Sequence, residues 1–249
     1  MDIARVHNSL VQWLKDEVAA AGAQGIALGL SGGIDSAVVA GLAQRACADK
    51  VLGVIMPCHS NKQDEDDAFL VASHFGIKTQ RVDLSPVYDH LLQIVGANNA
   101  QQSGFALAEA NIKPRLRMVS VYYLANCNNY LVAGTDNLSE YTVGYFTKYG
   151  DGAADLQPII KLVKREVQQL AEYLGVPRAV IDKVPSAGLW PDQTDENEMG
   201  FSYDLLDTYI RTGIGPQWLS QKVEEMRRRS EHKRNLPLAG PVGEWEEQN

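Results

Sequence analysis

Gly29-Leu30-Ser31-Gly32-Gly33-Ile34-Asp35-Ser36 is the stretch whose reading decides the fold of this chain. It follows a short apolar run, Ile26-Ala27-Leu28-Gly29-Leu30, and precedes an Ala/Val-rich stretch from Ile34 to about Cys47, which predicts a strand, a turn and a helix. Glycines at such a turn let the backbone approach an anion, and the free amides at the helix start point towards it. The segment has neither the lysine of GxxxxGK[ST] nor the spacing of GxGxxG, so neither a GTPase-like motor nor a dinucleotide-binding dehydrogenase is indicated. Asp35 in an anion cradle would repel phosphate unless a divalent cation bridged the two, which marks it as a candidate magnesium ligand. A tight turn capped by Asp or Ser explains a bare SGG triplet, but it explains SGGxDS after a buried strand poorly.

Outward from this turn the alternation continues. Residues 51–56 read as a second apolar strand that Pro57 stops, followed by a polar loop and a helix from about 64 to 75. A third strand is expected at 79–83, helices at 85–95 and 114–128, a buried strand at 130–133 and a helix at about 161–174. Strands separated by helices predict an α/β fold, a doubly wound parallel sheet with helices on both faces. Ligands of such sheets sit at the carboxyl ends of the strands, so the loops after Leu30, Met56 and Ala133 should converge on one crevice. Before the first strand, Leu10-Val11-Gln12-Trp13-Leu14 begins an amphipathic helix; residues 217–234, with the run Arg227-Arg228-Arg229, read as a charged helix with a solvated face.

Composition bounds the function. The chain has 249 residues, 45% hydrophobic and 22% charged, enough for a full core. Its 23 basic and 31 acidic residues give a net charge of -8, which disfavours general binding to nucleic acid or anionic membranes and requires any phosphate site to be built locally. The longest apolar run, residues 51–58, is far short of the roughly 18 needed to span a bilayer. The N-terminus lacks signal-peptide character, and Cys47, Cys58 and Cys127 show no CxxC spacing. A reducing cytoplasm is therefore expected, with Cys47 and Cys127 on buried helix faces. No repeat or linker divides the chain, so residues 1–249 are expected to form one domain.

The SGGxDS loop resembles that of the PP-loop ATP pyrophosphatases, a group with the adenine nucleotide alpha hydrolase type of fold, whose loop holds the pyrophosphate end of ATP and whose members activate a carboxylate or carbonyl as its adenylate. Further on, Gly134-Thr135-Asp136-Asn137-Leu138-Ser139-Glu140 and Gly144-Tyr145-Phe146-Thr147-Lys148-Tyr149-Gly150-Asp151-Gly152-Ala153-Ala154-Asp155 resemble two blocks of the NAD synthetases. Pro158, Val163-Lys164-Arg165, Pro185-Ser186-Ala187-Gly188-Leu189, Asp192-Gln193-Thr194-Asp195-Glu196 and His232-Lys233-Arg234 follow in that family's order, so the resemblance spans nearly the whole chain.

The resemblance implies ATP-dependent amidation of deamido-NAD with ammonia, through an adenylated carboxylate, to give NAD, AMP and pyrophosphate. Such a route makes chemical sense, because a carboxylate is a poor electrophile whereas a mixed anhydride has AMP as leaving group. By the same carry-over Gly29, Leu30, Ser31, Gly32, Gly33, Ile34, Asp35 and Ser36 form the ATP loop, Thr135, Lys164 and Ser186 complete the ATP site, and Asp35 with Glu140 holds Mg2+. The family commonly has Thr where Ser186 stands, an exchange that keeps the hydroxyl. Arg115, Lys148, Asp155, His232 and Lys233 are implied for deamido-NAD. Ser31 and Asp151 are the catalytic candidates, with Asp151 orienting or deprotonating the incoming ammonium. Tyr145 and Phe146 either stack on the nicotinate ring or belong to the core.

The family also implies a homodimer with the deamido-NAD pocket across its two-fold. The helix after Pro114, through Met118, Val121, Tyr122, Leu124 and Ala125, offers a surface for that contact or for packing inside the monomer. Residues 60–67 and 186–197 have the composition of active-site lids. Glutamine-dependent relatives carry an additional amidohydrolase domain; only about fifteen residues separate Leu10 from the phosphate-loop strand, so no glutaminase domain is expected and free ammonia is the expected donor. Two other readings compete. A different PP-loop amidating or thiolating ligase would lack the second block, and a nucleotide-sensing module would not need two magnesium carboxylates and a phosphate-binding lysine.

Overall fold

The computed structural model describes residues 1–96, 105–186, 188 and 194–240. In chain order the elements are α1 (Ile3–Ala20), β1 (Gly25–Gly29), α2 (Ile34–Cys47), β2 (Val51–Ile55), α3 (Lys62–Phe75), β3 (Lys78–Arg81), α4 (Ser85–Val95), α5 (Phe105–Ala110), α6 (Ile112–Asn128) and β4 (Tyr130–Val132). Then come α7 (Leu138–Val143), α8 (Lys164–Leu174), α9 (Arg178–Ile181), α10 (Asp195–Met199), α11 (Tyr203–Thr212), α12 (Gln217–Arg229) and α13 (Glu231–Arg234). The strands pair in parallel in the order β3-β2-β1-β4, with Ile26 opposite both Val51 and Leu131. The chain thus leaves β1 in one direction and returns to its other side for β4. A crevice opens at the carboxyl ends of strands where the order reverses, here between β1 and β4.

Alternation along β1 explains the two layers. Ile26 and Leu28 point into a core with Leu14 and Val18 of α1, Val38 and Leu42 of α2, and Val167 and Leu170 of α8. Ala27 between them joins Val54 and Val132 in a second core under Tyr88 of α4 and Val121 and Ala125 of α6. Each large side chain buried in these layers contributes about 2 kcal/mol. A third core, from Val143, Met199, Phe201, Tyr203, Leu206, Leu219 and Val223, builds the C-terminal helical layer beside the crevice. Among the described residues no helix is long and apolar enough to cross a membrane.

Several local expectations are corrected. The first helix starts at Ile3, because the Asp2 carboxylate accepts a bond from the Arg5 amide and caps it, well before Leu10. Residues 62–67 are the opening turns of α3 and not a loop, since Asn61 caps the Gln63 amide and Asp64 and Glu65 suit the helix start. The second proposed lid is partly helical from Asp195; Ala187, Leu189, Asp192 and Gln193 lie outside the described residues. The charged C-terminal helix breaks at Ser230, whose hydroxyl turns back to the Met226 carbonyl. Cys127 is exposed and Cys47 only half-buried, each in the last turn of its helix, α6 and α2; Cys58 is buried. Val121 and Ala125 pack inside the monomer, with Tyr122 and Leu124 half-buried against them, so that stripe of α6 is not a free surface. The large apolar side chains that α6 exposes are Val119 and Tyr123.

Candidate active site

The turn after β1 is shaped by its two serines and one glycine. The Ser31 hydroxyl accepts from the Gly33 amide at 3.2 Å and lies 3.0 Å from the Ser36 hydroxyl, which donates to the Gly33 carbonyl. Gly32 has φ +76°, and a methyl there would meet the Asp64 carbonyl oxygen at 2.3 Å, so both conformation and space demand glycine. Three helix starts meet beyond this turn. Asp35 lies in the first turn of α2, Glu140 in that of α7, and Lys164 opens α8.

The Lys164 ammonium is 2.5 Å from Asp35 Oδ2 and 3.1 Å from Glu140 Oε1. All three side chains are 11 to 17% exposed. Asn137 locks the array: its side chain caps the Glu140 amide at 3.1 Å and donates to Asp35 Oδ1 at 2.9 Å. Behind it, the buried Asp207 accepts from Ser139 Oγ and from the Arg165 amide at 2.8 Å, tying α7 and α8 to α11. Burial pushes the Glu140 carboxyl up to about 7, with Lys164 opposing and Asp35 assisting the shift. Burial works against the charge on Lys164, but Asp35 and Glu140 outweigh it and hold the ammonium protonated. The Tyr203 hydroxyl lies 3.1 Å from Glu140 Oε1 and 2.9 Å from Asp195 Oδ2. One hydroxyl hydrogen cannot serve two carboxylates at once, so this corner favours a retained proton or a bound cation.

Asp35, Glu140, Lys164 and Asp195 line a cavity of about 330 Å³, together with Thr135, Asp136, Arg117, Asp151 and Ser186. The size falls at the lower end for small-molecule sites. Asp151 opens onto the cavity and accepts from the Thr147 amide at 2.8 Å. Crowding by protein raises its pKa, against that backbone bond, and burial raises Asp136 further with Asp151, Glu140 and Asp35 adding repulsion. Asp35 and Glu140 fit a hard divalent cation: two carboxylates aimed at one positive centre, in a site with excess acid.

Of the ATP-site residues expected from sequence, Gly29, Leu30, Ser31, Gly33, Ile34, Asp35, Ser36, Thr135, Lys164 and Ser186 border this one cavity, with Gly32 in the same turn. Arg115, Lys148, Asp155, His232 and Lys233 do not border it. The Arg115 guanidinium donates to the Lys148 carbonyl at 3.4 Å, the Lys148 ammonium donates to the His232 carbonyl, and Lys233 reaches the carbonyls of Gly144 and Phe146 at 2.8 and 2.7 Å. Asp155 is separate, accepting from the Val132 amide at 2.8 Å and from the Tyr122 hydroxyl at 3.2 Å. Phe146 is buried and stacks on Tyr141, a core role, whereas Tyr145 faces the cavity and donates to Glu198 at 2.6 Å.

Sequence reading missed Arg117, Asp136, Asn137 and Tyr203. Arg117 donates to the Met56 carbonyl at 3.1 Å and to Ser60 Oγ, which fixes the loop after β2. Asp136 and Asn137 stood inside the quoted block, directly after a strand; that position was the available signal. Tyr203 had none, since an aromatic residue near a helix start reads as core.

The family model described as NAD synthase matches residues 6–237. The NH(3)-dependent NAD(+) synthetase of Carboxydothermus hydrogenoformans is 50% identical over 92% of this chain and 93% of its own length. Among solved structures, an NMN synthetase from Francisella tularensis has 37% identity and a TM-score of 0.92, covering 97% of this chain and 100% of that one. An NH3-dependent NAD synthetase from Campylobacter jejuni has 27% identity and a TM-score of 0.79, with the same coverages.

Replacing Lys164 by Met leaves Asp35 and Glu140 facing each other without their cation, and should lower the unfolding free energy by about 3 kcal/mol. Urea unfolding measures this, and a loss below about 1 kcal/mol would contradict the central role given to the ammonium.

Proposed function

Because the chain belongs to the NAD synthase family, we propose that this cavity uses ATP to amidate deamido-NAD with ammonia, giving NAD, AMP and pyrophosphate, the last step of NAD biosynthesis. The observation that carries the reading is the convergence of the phosphate turn, Lys164, Asp35 and Glu140 in the cavity that also holds Asp151.

The amides at the start of α2 receive the polyphosphate end of ATP, and Ser31 shapes the turn that presents them. Thr135, Lys164 and Ser186 complete the ATP site. Asp35 and Glu140 would hold Mg2+, which neutralises the pyrophosphate leaving group when bound. With Mg2+ held by Asp35 and Glu140, the Lys164 ammonium beside them would be free to meet the phosphates. Asp151, its pKa raised by crowding, is the better proton acceptor for that, and takes the proton that the nitrogen loses as the amide forms.

Arg115, Lys148, Asp155, His232 and Lys233 lie outside the cavity and serve the part of the dinucleotide that extends beyond it. Completion of that surface by a second copy, in a homodimer, is supported by the exposed apolar residues Val87, Ile94 and Val95 of α4 and Val119 and Tyr123 of α6. The thiols and the absence of a membrane-crossing helix among the described residues support the cytoplasm as its place. Residues 1–249 act in this reading as one synthetase domain.

A second reading is that the substrate is nicotinic acid mononucleotide, favoured by the TM-score of 0.92 to the NMN synthetase. The purified chain, given ATP, magnesium, ammonium and each nucleotide in turn, separates the two. Higher kcat/KM for deamido-NAD, with AMP and pyrophosphate formed, supports the first; a reversed ratio supports the second. At fixed total ammonium the amidation rate should climb from pH 7 towards 9, because NH3 and not NH4+ is the nucleophile, and a falling rate over that range would argue against free ammonia. Asp35→Ala and Glu140→Ala should each abolish magnesium-dependent pyrophosphate release while circular dichroism stays unchanged; near-normal release from either removes the two-carboxylate metal site.

A further inference from the structure

Lys183 stands outside every role assigned above. Its ammonium lies 2.7 Å from Asp64 Oδ1 and 2.6 Å from Asp67 Oδ2, both on the first turns of α3. Asp67 is buried, only 4% exposed, and its other oxygen accepts from Gln63 at 2.8 Å. The same stretch of α3 touches the phosphate turn, because the Asp64 carbonyl packs against Gly32 too closely for any side chain there. On the other side, Val180 and Ile181 of α9 are anchored in the core, and Ser186 follows Lys183 by three residues, within about 10 Å along the chain.

Among the described residues little else holds that segment. Val184 is 67% exposed. Pro185 accepts one bond from the Asp195 amide at 3.2 Å, and Ser186 Oγ accepts from Gly188. An ion pair with a buried partner is the strongest constraint on its position among the described residues, and Lys183, Asp64 and Ser186 all border the cavity.

We propose that Lys183 is a positioning residue for ATP: clamped by Asp64 and Asp67, it holds Ser186 at a fixed distance from the phosphate turn. The proposal rests on the assignment of that turn and of Ser186 to ATP. It acts on the ATP half of the reaction, leaving the encounter with ammonia untouched. Lys183→Met alone strands the buried Asp67 charge and destabilises the fold, so the informative variant is Lys183→Met with Asp64→Asn and Asp67→Asn, which removes the clamp and the charges together.

ATP binding is measured by titration calorimetry with magnesium and no second substrate, so the identity of the nicotinate substrate does not enter. The triple variant should bind ATP about tenfold more weakly at an unchanged unfolding midpoint, and Lys183→Arg should stay within about threefold of the parent. In turnover, its KM for ammonium should stay within about twofold. Ser186→Ala should weaken ATP binding in the parent and add nothing in the triple variant, because both changes break one linkage. Parent-like ATP affinity in the triple variant, an equal Ser186→Ala effect in both backgrounds, or no effect of Ser186→Ala in the parent would each overturn the proposal. Failure of the amidation reading would show separately, as absence of amide product from the parent chain that still binds ATP.

Discussion

The structure depends on one buried cation, the Lys164 ammonium between Asp35 and Glu140. Each of the three comes from the first turn of a different helix, so the contact decides where α2, α7 and α8 start relative to one another. A buried carboxylate pair without a cation would be costly, and the ammonium offsets that cost while leaving the site one negative charge in excess. Asn137 and Asp207 hold the arrangement from two sides, one through Asp35 and the other through Ser139 and Arg165.

An acid-rich cavity that is to receive a polyphosphate presents a contradiction that the charges themselves resolve. Asp35, Asp136, Glu140 and Asp151 repel a bare polyphosphate, whereas helix-start amides and Lys164 attract one. Such a balance of charges favours a phosphate that carries its own cation over a bare one. The same crowding raises the pKa of Glu140, Asp136 and Asp151, which leaves proton-accepting capacity in the cavity. A net charge of -8 over the whole chain is compatible with this, because the attraction is local.

Arg115, Lys148, His232 and Lys233, which the resemblance implies for the dinucleotide, form a separate region, with Asp155 apart from them. Lys148 and Lys233 spend their ammonium bonds on backbone carbonyls, fastening α13 to the turn at residues 144–150 that ends in Asp151. Any ligand that draws these side chains away also loosens that turn. The outer surface and the position of Asp151 are thereby mechanically connected.

The sequence by itself determined the parallel α/β architecture and the glycine turn after β1, and it named the residues expected at ATP, most of which border one cavity. Those are local matters: apolar runs of strand length, glycines where φ is positive, and blocks of residues directly after strands. Gly32 and Ser36 could be read because turn chemistry spans only a few residues. Only the tertiary structure decided that Lys164 meets Asp35, 129 positions away, that Tyr203 bridges Glu140 and Asp195, and that Val121 and Ala125 of α6 face inward. It also turned residues 62–67 into a helix whose carboxylates engage Lys183. Such meetings follow from the strand order β3-β2-β1-β4 and the helices it stacks. Periodicity tells which face of an element is apolar, but which side chains share one cavity is set by nonlocal pairing that no short window of sequence contains.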